Sequence, residues 1–412
     1  MSTPAIRRGI GVIPRMTRRV LVTCLVTGAA GIAAGAATSA TAGAATGLRH
    51  VPRFPASSAV SGSFSAVAVV PHSKDAIAVG DWYGTTSSGE VLEVWNGSAW
   101  HEAKLPKLGK SVIGSGLSGV WAASVSDVWA VGYAAESSGS TLQLIHWNGK
   151  RWSSLSVTGW PANGTLSRIS GTSSSNIWCV GSAYNDSSEV STPIELHFNG
   201  TSWKVSTQGP SNSSLASVSA ASATDVWAIG SSGSTNGPIL LHFNGTSWSL
   251  VKSPAPKDAY LNGISASAST TWVVGDVFGT TSSPFAMQWN GKRWALAKLP
   301  SPSGKNPDLN AVVTLSSSSA WAGGFVSNKA NTDFGAYMEE FAKGKWSVAK
   351  LPAAGNGSSV VGFGASSPSN IWAVGGVFTG KACASPQHPL AYHHTSKWKV
   401  VATAPITAGP DC

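Results

Sequence analysis

The stretch DVWAIGSSGSTNGPILLHFNGTSWSLVKSP, Asp225 to Pro254, joins two short apolar runs through a Ser/Gly-rich loop and closes on Asn-Gly-Thr-Ser-Trp. DVWAIG and PILLHF are brief, rich in branched and aromatic residues, and bounded by Gly, Asn and Ser. That punctuation is the mark of strands, and no 3.6-residue periodicity competes with it. Asn244-Gly245 is a hairpin signal, supplying positive φ before Trp248. The same phrase recurs along the chain.

The tryptophan that closes this phrase returns at Trp100, Trp152, Trp203, Trp248, Trp294, Trp346 and Trp398, at intervals of 52, 51, 45, 46, 52 and 52, and Asn-Gly precedes it at 96–97, 148–149, 199–200, 244–245 and 290–291. The other tryptophan returns at Trp129, Trp178, Trp227, Trp272, Trp321 and Trp372, with Ile77 in its slot in the first copy. Seven copies of roughly 50 residues signal a repeat architecture. Each copy divides into four pieces: LSGVWAAS (strand A), DVWAVG (B), LQLIHWNG (C), and a piece D that starts at the second Trp and runs to a Pro. An all-β, seven-bladed β-propeller of four-stranded antiparallel blades is therefore predicted. A β-helix would have shorter repeats, and a leucine-rich or helical solenoid would need a periodicity that is missing.

Recurring residues are expected to do mechanical work. Gly80, Gly132, Gly181, Gly230, Gly275, Gly324 and Gly375 end strand B, where a turn or a close backbone approach is required. Asp75, Asp127, Asp225, Asn176 and Asn370 open strand B and are expected to cap the A–B turn. The paired tryptophans should wedge between blades. His146, His197 and His242 share one strand-C position, one per blade, and so cannot converge on a metal.

Ala373 to Pro405, with Gly375, Gly376 and Trp398, resembles a kelch-type repeat of galactose-oxidase-like propellers. The hairpin before each second Trp is similar to the Asp-box turn of sialidase-like propellers, with Asn in place of Asp. The likeness spans roughly residues 60–405 and implies fold, since these motifs serve enzymes, lectins and scaffolds alike.

Ahead of the repeats, Arg7, Arg8, Arg15, Arg18 and Arg19 precede an Ala/Gly-rich apolar run and small-residue cleavage sites. Residues 1–42 are expected to be an export signal, twin-arginine or general secretory, or a retained anchor. Residues 43–59 are a linker or closure segment, 60–405 the propeller and 406–412 a tail. Loss of the signal removes five arginines, no acid, and half of the formal charge of +10. The remaining charge is dispersed, which excludes a nucleic-acid footprint. Once the signal is gone, no membrane attachment is expected. The chain is read as secreted, extracellular or cell-surface, and monomeric. In that oxidising setting Cys383 and Cys412 are the natural disulfide pair, while Cys179 fills a slot held by Ala in sister copies. Ring closure is left between two modes. Either the ends simply meet, or Leu48 to Pro55 pairs with the last blade.

Function is sought on the face bearing the B–C loops, which vary in length and content. Aromatics follow the strand-B glycine there: Trp82, Tyr83, Tyr133, Tyr184, Phe278, Phe325 and Phe378, amid Asp81, Glu136, Asp186, Glu189 and Asp276. Rings with short hydrogen-bonding neighbours suit a glycan or a protein loop, or they merely seal the rim. Arg168 stands in strand A where sister copies hold Gly, Ser or Ala, so it should point into the central channel, towards an anion or a loop acid. Ligand-binding candidates are thus Trp82, Tyr83, Tyr133, Tyr184, Phe278, Phe378 and Arg168, with no catalytic residue, metal or cofactor expected. The expected partner is a glycan or envelope polymer, the alternative an exported protein held on the same face. A polysaccharide hydrolase or lyase with loop carboxylates is the remaining reading.

Overall fold

The computed structural model describes residues 61–405, apart from 85–86, 234–236, 278–282, 329–333, 356 and 379–385, all within the unit Phe54–Cys412. Among these residues there are 28 strands and no helix, grouped in seven four-stranded antiparallel sheets of consecutive strands. The first blade consists of β1 (Ser61–Val69), β2 (Ala76–Tyr83), β3 (Ser88–Trp95) and β4 (Trp100–Glu102). The other six repeat that A-to-D order. The chain is a seven-bladed β-propeller.

Its core is divided. Seven clusters of buried apolar side chains each draw on two neighbouring blades, so every seam between blades is a separate core. At six seams a strand-B tryptophan crosses to the strand-D tryptophan of the next blade. Trp178 meets Trp248 at 5.4 Å and 89°, and Trp272 meets Trp346 at 5.0 Å and 82°. Trp372 of the last blade meets Trp100 of the first at 5.0 Å, which closes the ring. Such edge-to-face pairs add to the burial of two large rings.

Strand A carries a β-bulge at one equivalent position in all seven blades, for example at Ser118 between Leu117 and Gly119. The bulge brings the strand-A carbonyl against the strand-B glycine. A Cβ on Gly132 or Gly275 would collide with the oxygen of Gly116 or Tyr260, so the seven-fold glycine answers to a close backbone approach. Bulge side chains then lace the ring together: Ser118 Oγ donates to Leu166 O at 2.6 Å, Asn262 Nδ2 to Leu309 O at 2.9 Å, and Asn310 Nδ2 to Val360 O at 3.3 Å.

Two expected roles change. Asp127 Oδ1 accepts Trp129 Nε1 at 2.7 Å and His146 Nε2 at 2.8 Å, and Asn176 Oδ1 accepts Trp178 Nε1 and His197 Nε2. These residues anchor rings, whereas serines cap the A–B turn, as Ser124 Oγ does for Ser126 N. The histidines lie flat on the same tryptophans, His146 on Trp129 at 4.0 Å and His393 on Trp372 at 4.1 Å. In the Asn-Gly C–D hairpins the positive φ falls on the glycine, 95° at Gly245, while Asn244 Oδ1 accepts the N–H groups of Thr246 and Ser247; in the sixth blade Lys343 shares it with Gly344.

At the ring closure each terminal blade is built from its own four strands, and the last blade packs against the first. Gln387 N donates to Ser61 Oγ at 3.2 Å and Ala404 N to Glu93 Oε2 at 2.9 Å. Among the described residues the ends simply meet; Leu48 to Pro55 lies outside them. Cys383 and Cys412 also lie outside the described residues, and Cys179 is a free, fully buried thiol whose ionisation burial opposes.

Candidate functional site on the B–C face

Strand alternation sorts the aromatic candidates. Asp81 and Tyr83 follow Gly80 on the side of β2 that faces the second blade, whereas Trp82 points back towards the last blade and is 9% exposed. Trp82 lies over Gly89, where a Cβ would strike the indole, so its ring serves packing first. Tyr184 is 36% exposed on the third blade, away from the others. Phe378 is half-buried over Gly357, in the D–A connection of its own blade. Phe278 falls outside the described residues.

Two of the candidates do come together. Asp81 is paired across the sheet with Glu90, which puts both carboxylates on the face towards the second blade. From that blade Gln143 Nε2 donates to Glu90 Oε1 at 2.7 Å. A Cβ on Gly116 would lie 3.0 Å from the Tyr133 ring and 3.2 Å from Asp81 Cβ, so both pack over this glycine. The Tyr83 hydroxyl donates to Asp81 Oδ2. Asp81, Tyr83, Glu90, Tyr133 and Gln143 thus form one polar–aromatic cluster at the rim of the seam between the first two blades. Sequence reasoning missed Glu90 and Gln143, which lie in strand C and are joined to the aromatics only by register.

The electrostatics are set by burial. Desolvation raises Asp81 to about 6 against the pull of the Tyr83 hydroxyl, and raises Glu90 to about 7 against the Gln143 amide. Tyr133 is pushed up to about 12, by burial and then by the charge of Asp81. The Tyr133 hydroxyl has no hydrogen-bond partner among the described residues, which leaves a donor near the Asp81 carboxylate. Such a set can bind adjacent hydroxyl groups and stack on an apolar ring face.

Arg168 lies on the innermost strand of the third blade. Its Nη1 donates to Ser118 O at 2.7 Å and Ser167 O at 2.9 Å, and it has no carboxylate partner among the described residues. Burial lowers its pKa to about 10, so it remains a cation at neutral pH. The backbone takes part of its charge, and it stands apart from the tyrosine cluster. No group of three or more metal-ligating side chains occurs among the described residues.

No protein-family model matches the chain, and no curated protein sequence matches it. Solved structures do. The chain is similar to the GH74 enzyme of Niastella koreensis at 12% identity, covering 86% of this chain and 68% of that one, with a TM-score of 0.52. It is also similar to YCF48 bound to D1 peptide (13% identity, 74% and 96% covered, TM-score 0.45) and to the fucose-specific lectin of Aleuria aurantia (13%, 70% and 95%, 0.42). At these identities the likeness speaks to the propeller fold alone.

Proposed function

We propose that the chain is an exported binding module, kelch-like in its repeats, that takes a neutral glycan of the cell envelope on its B–C face at the seam between the first two blades. The observation that supports this is the convergence of Asp81, Glu90 and Gln143 with two tyrosines beside the side-chain-free Gly116. Carboxylates and amides recognise vicinal hydroxyls, and tyrosine rings cover the apolar face of a sugar. The test is retention of the full chain on insoluble polysaccharides and envelope fractions. The double variant Tyr133→Ala, Glu90→Gln should weaken retention by about tenfold or more, the loss expected for removing a binding hot spot. Unchanged retention, with unfolding also unchanged, counts against the site.

A hydrolase is the second reading, because Asp81 and Glu90 are adjacent carboxylates both displaced towards neutral pH by burial. It requires release of soluble fragments from the retained polymer, abolished by Glu90→Gln. Failure to bind any glycan moves the proposal to an exported protein partner on the same face.

A further inference from the structure

Six of the seven seams grip a tryptophan in the same way, and among the described residues the seventh grips none. Two rings of the next blade form the jaws. Phe198 and Trp203 hold Trp129, both at 5.4 Å, and Trp95 and Trp100 hold Trp372, both at 5.0 Å. Between the first and second blades the jaws are present: Trp147 and Trp152 stand 5.8 Å apart, against 5.9 Å for the filled pairs Trp95–Trp100 and Trp289–Trp294. What belongs between them is missing. Ile77 occupies the position of the gripped tryptophan and Val94 that of the stacked histidine. Among the seven core clusters, that of this seam has no aromatic among its buried members. The result is a cleft of about 640 Å³ floored by Ile77, Val94 and Val128, within the size range of ligand pockets.

The polar partners of the missing rings have stayed. Asp75 corresponds to Asp127, which accepts an indole N–H at 2.7 Å and an imidazole N–H at 2.8 Å. Asp75 lines the cleft, and its carboxylate has no hydrogen-bond or ion-pair partner among the described residues. Trp152 differs from its sisters as well. The indole nitrogens of Trp100, Trp203, Trp248, Trp294, Trp346 and Trp398 are sealed without a partner, whereas that of Trp152 is not sealed. The seam therefore keeps both jaws and the acceptor of a tryptophan socket while no described residue supplies the plug.

We propose that this cleft receives a tryptophan presented by an acidic peptide segment of a protein partner. The indole would fill the space between Trp147 and Trp152 and give its N–H to Asp75, as Trp129 gives its own to Asp127. Lys104, Lys150 and Arg151 are exposed at the rim, against Asp75 as the single acid of the lining. That balance selects carboxylates on either side of the ring. This chain's own ends do not match: residues 43–60 carry Arg49, His50 and Arg53 with no acid and no tryptophan, and residues 406–412 have no aromatic. The cleft lies at the face of the A–B and C–D turns, so the inference does not rest on the glycan reading.

The probe is a five-residue peptide with blocked ends, Asp-Glu-Trp-Glu-Asp, titrated into the full chain and followed by calorimetry. Saturable binding is expected, weakened about tenfold or more when alanine replaces the peptide's tryptophan, as for an anchoring hot spot. Lys150→Ala with Arg151→Ala should weaken it and flatten its salt dependence. Ile77→Trp should abolish it by filling the socket from within, in a protein at least as heat-stable as the parent. Absence of saturable binding, or equal affinity for the alanine peptide or for the Ile77→Trp protein, overturns the proposal. Indole-3-acetate binding as tightly as the peptide overturns the peptide as occupant and points to a small aromatic acid.

Discussion

Glu93→Gln should stabilise the propeller at pH 8 and leave its stability unchanged near pH 4. Glu93 is 2% exposed, and its Oε2 accepts Ala404 N at 2.9 Å, tying the end of the last blade to the first. It is paired across the C–D hairpin with Glu102. Burial is the chief cause of its rise from 4.5 to about 8; the Ala404 N–H pulls the other way and the charge of Glu102 adds to the rise. Between those limits the unfolded chain carries an ionised Glu93 and the folded seam a protonated one. Unfolding then releases a proton, so stability is fully present below about 4.5 and is lost as pH rises to about 8. At about 1.4 kcal/mol per unit, the span sets a ceiling of roughly 5 kcal/mol, which water entry and local relaxation will lower to about 2–4 kcal/mol.

Glutamine keeps the acceptor for Ala404 N and cannot ionise. Chemical unfolding of both proteins from pH 4 to 8.5 gives the difference directly. Asp81, Glu90 and Glu339, raised by burial to about 6, 7 and 7, tilt both curves alike, and subtraction removes them where the sites are independent. A difference that is flat with pH, or that favours the parent at pH 8, would refute the assignment of a protonated carboxyl to the closing seam.

The seams and the bulges are open to simpler tests. Trp272→Ala empties the socket between the fifth and sixth blades, where Trp272 is 1% exposed, and should cost about 3–5 kcal/mol in denaturant unfolding; a cost below about 1 kcal/mol would mean the seam refills. Gly275→Ala drives a Cβ into the carbonyl of Tyr260 and should cost about 1–3 kcal/mol or more, as overpacking does. A neutral outcome would show that the strand-A bulge yields.

The blade count was legible because every repeat carries the strand-D tryptophan and five of the seven announce it with an Asn-Gly hairpin. Neighbour relations were less so. Strand order along the chain does not say that Trp129 reaches forward to Trp203 rather than back, since that depends on which side of strand B the side chain leaves. The same parity separates Trp82 from Tyr83: adjacent in sequence, they face opposite seams. Asp at the place of Asp127 commonly caps a turn, but Ser124 already does that work and frees the carboxylate for Trp129 and His146. Glu90 escaped notice because only the register of β2 on β3 sets it opposite Asp81.

In seven nearly equivalent blades, whatever recurs in all of them serves the ring, and a specific ligand has to be met where the repetition fails. It fails most at the first seam. There Ile77 and Val94 replace a tryptophan and a histidine towards one face of the disc, and Asp81, Glu90 and Tyr83 gather towards the other. Stability alone would favour restoring the missing rings, because every other seam gains an edge-to-face pair worth about 0.5–1.5 kcal/mol beyond area burial. A seam that forgoes this gain and still keeps Asp75, Trp147 and Trp152 in place has the geometry of a site. If Ile77→Trp raises the melting temperature while peptide binding disappears and glycan retention persists, the two ends of that seam act separately. If all three change together, the first and second blades respond as one unit, and the cleft and the rim cluster are coupled through the seam between them.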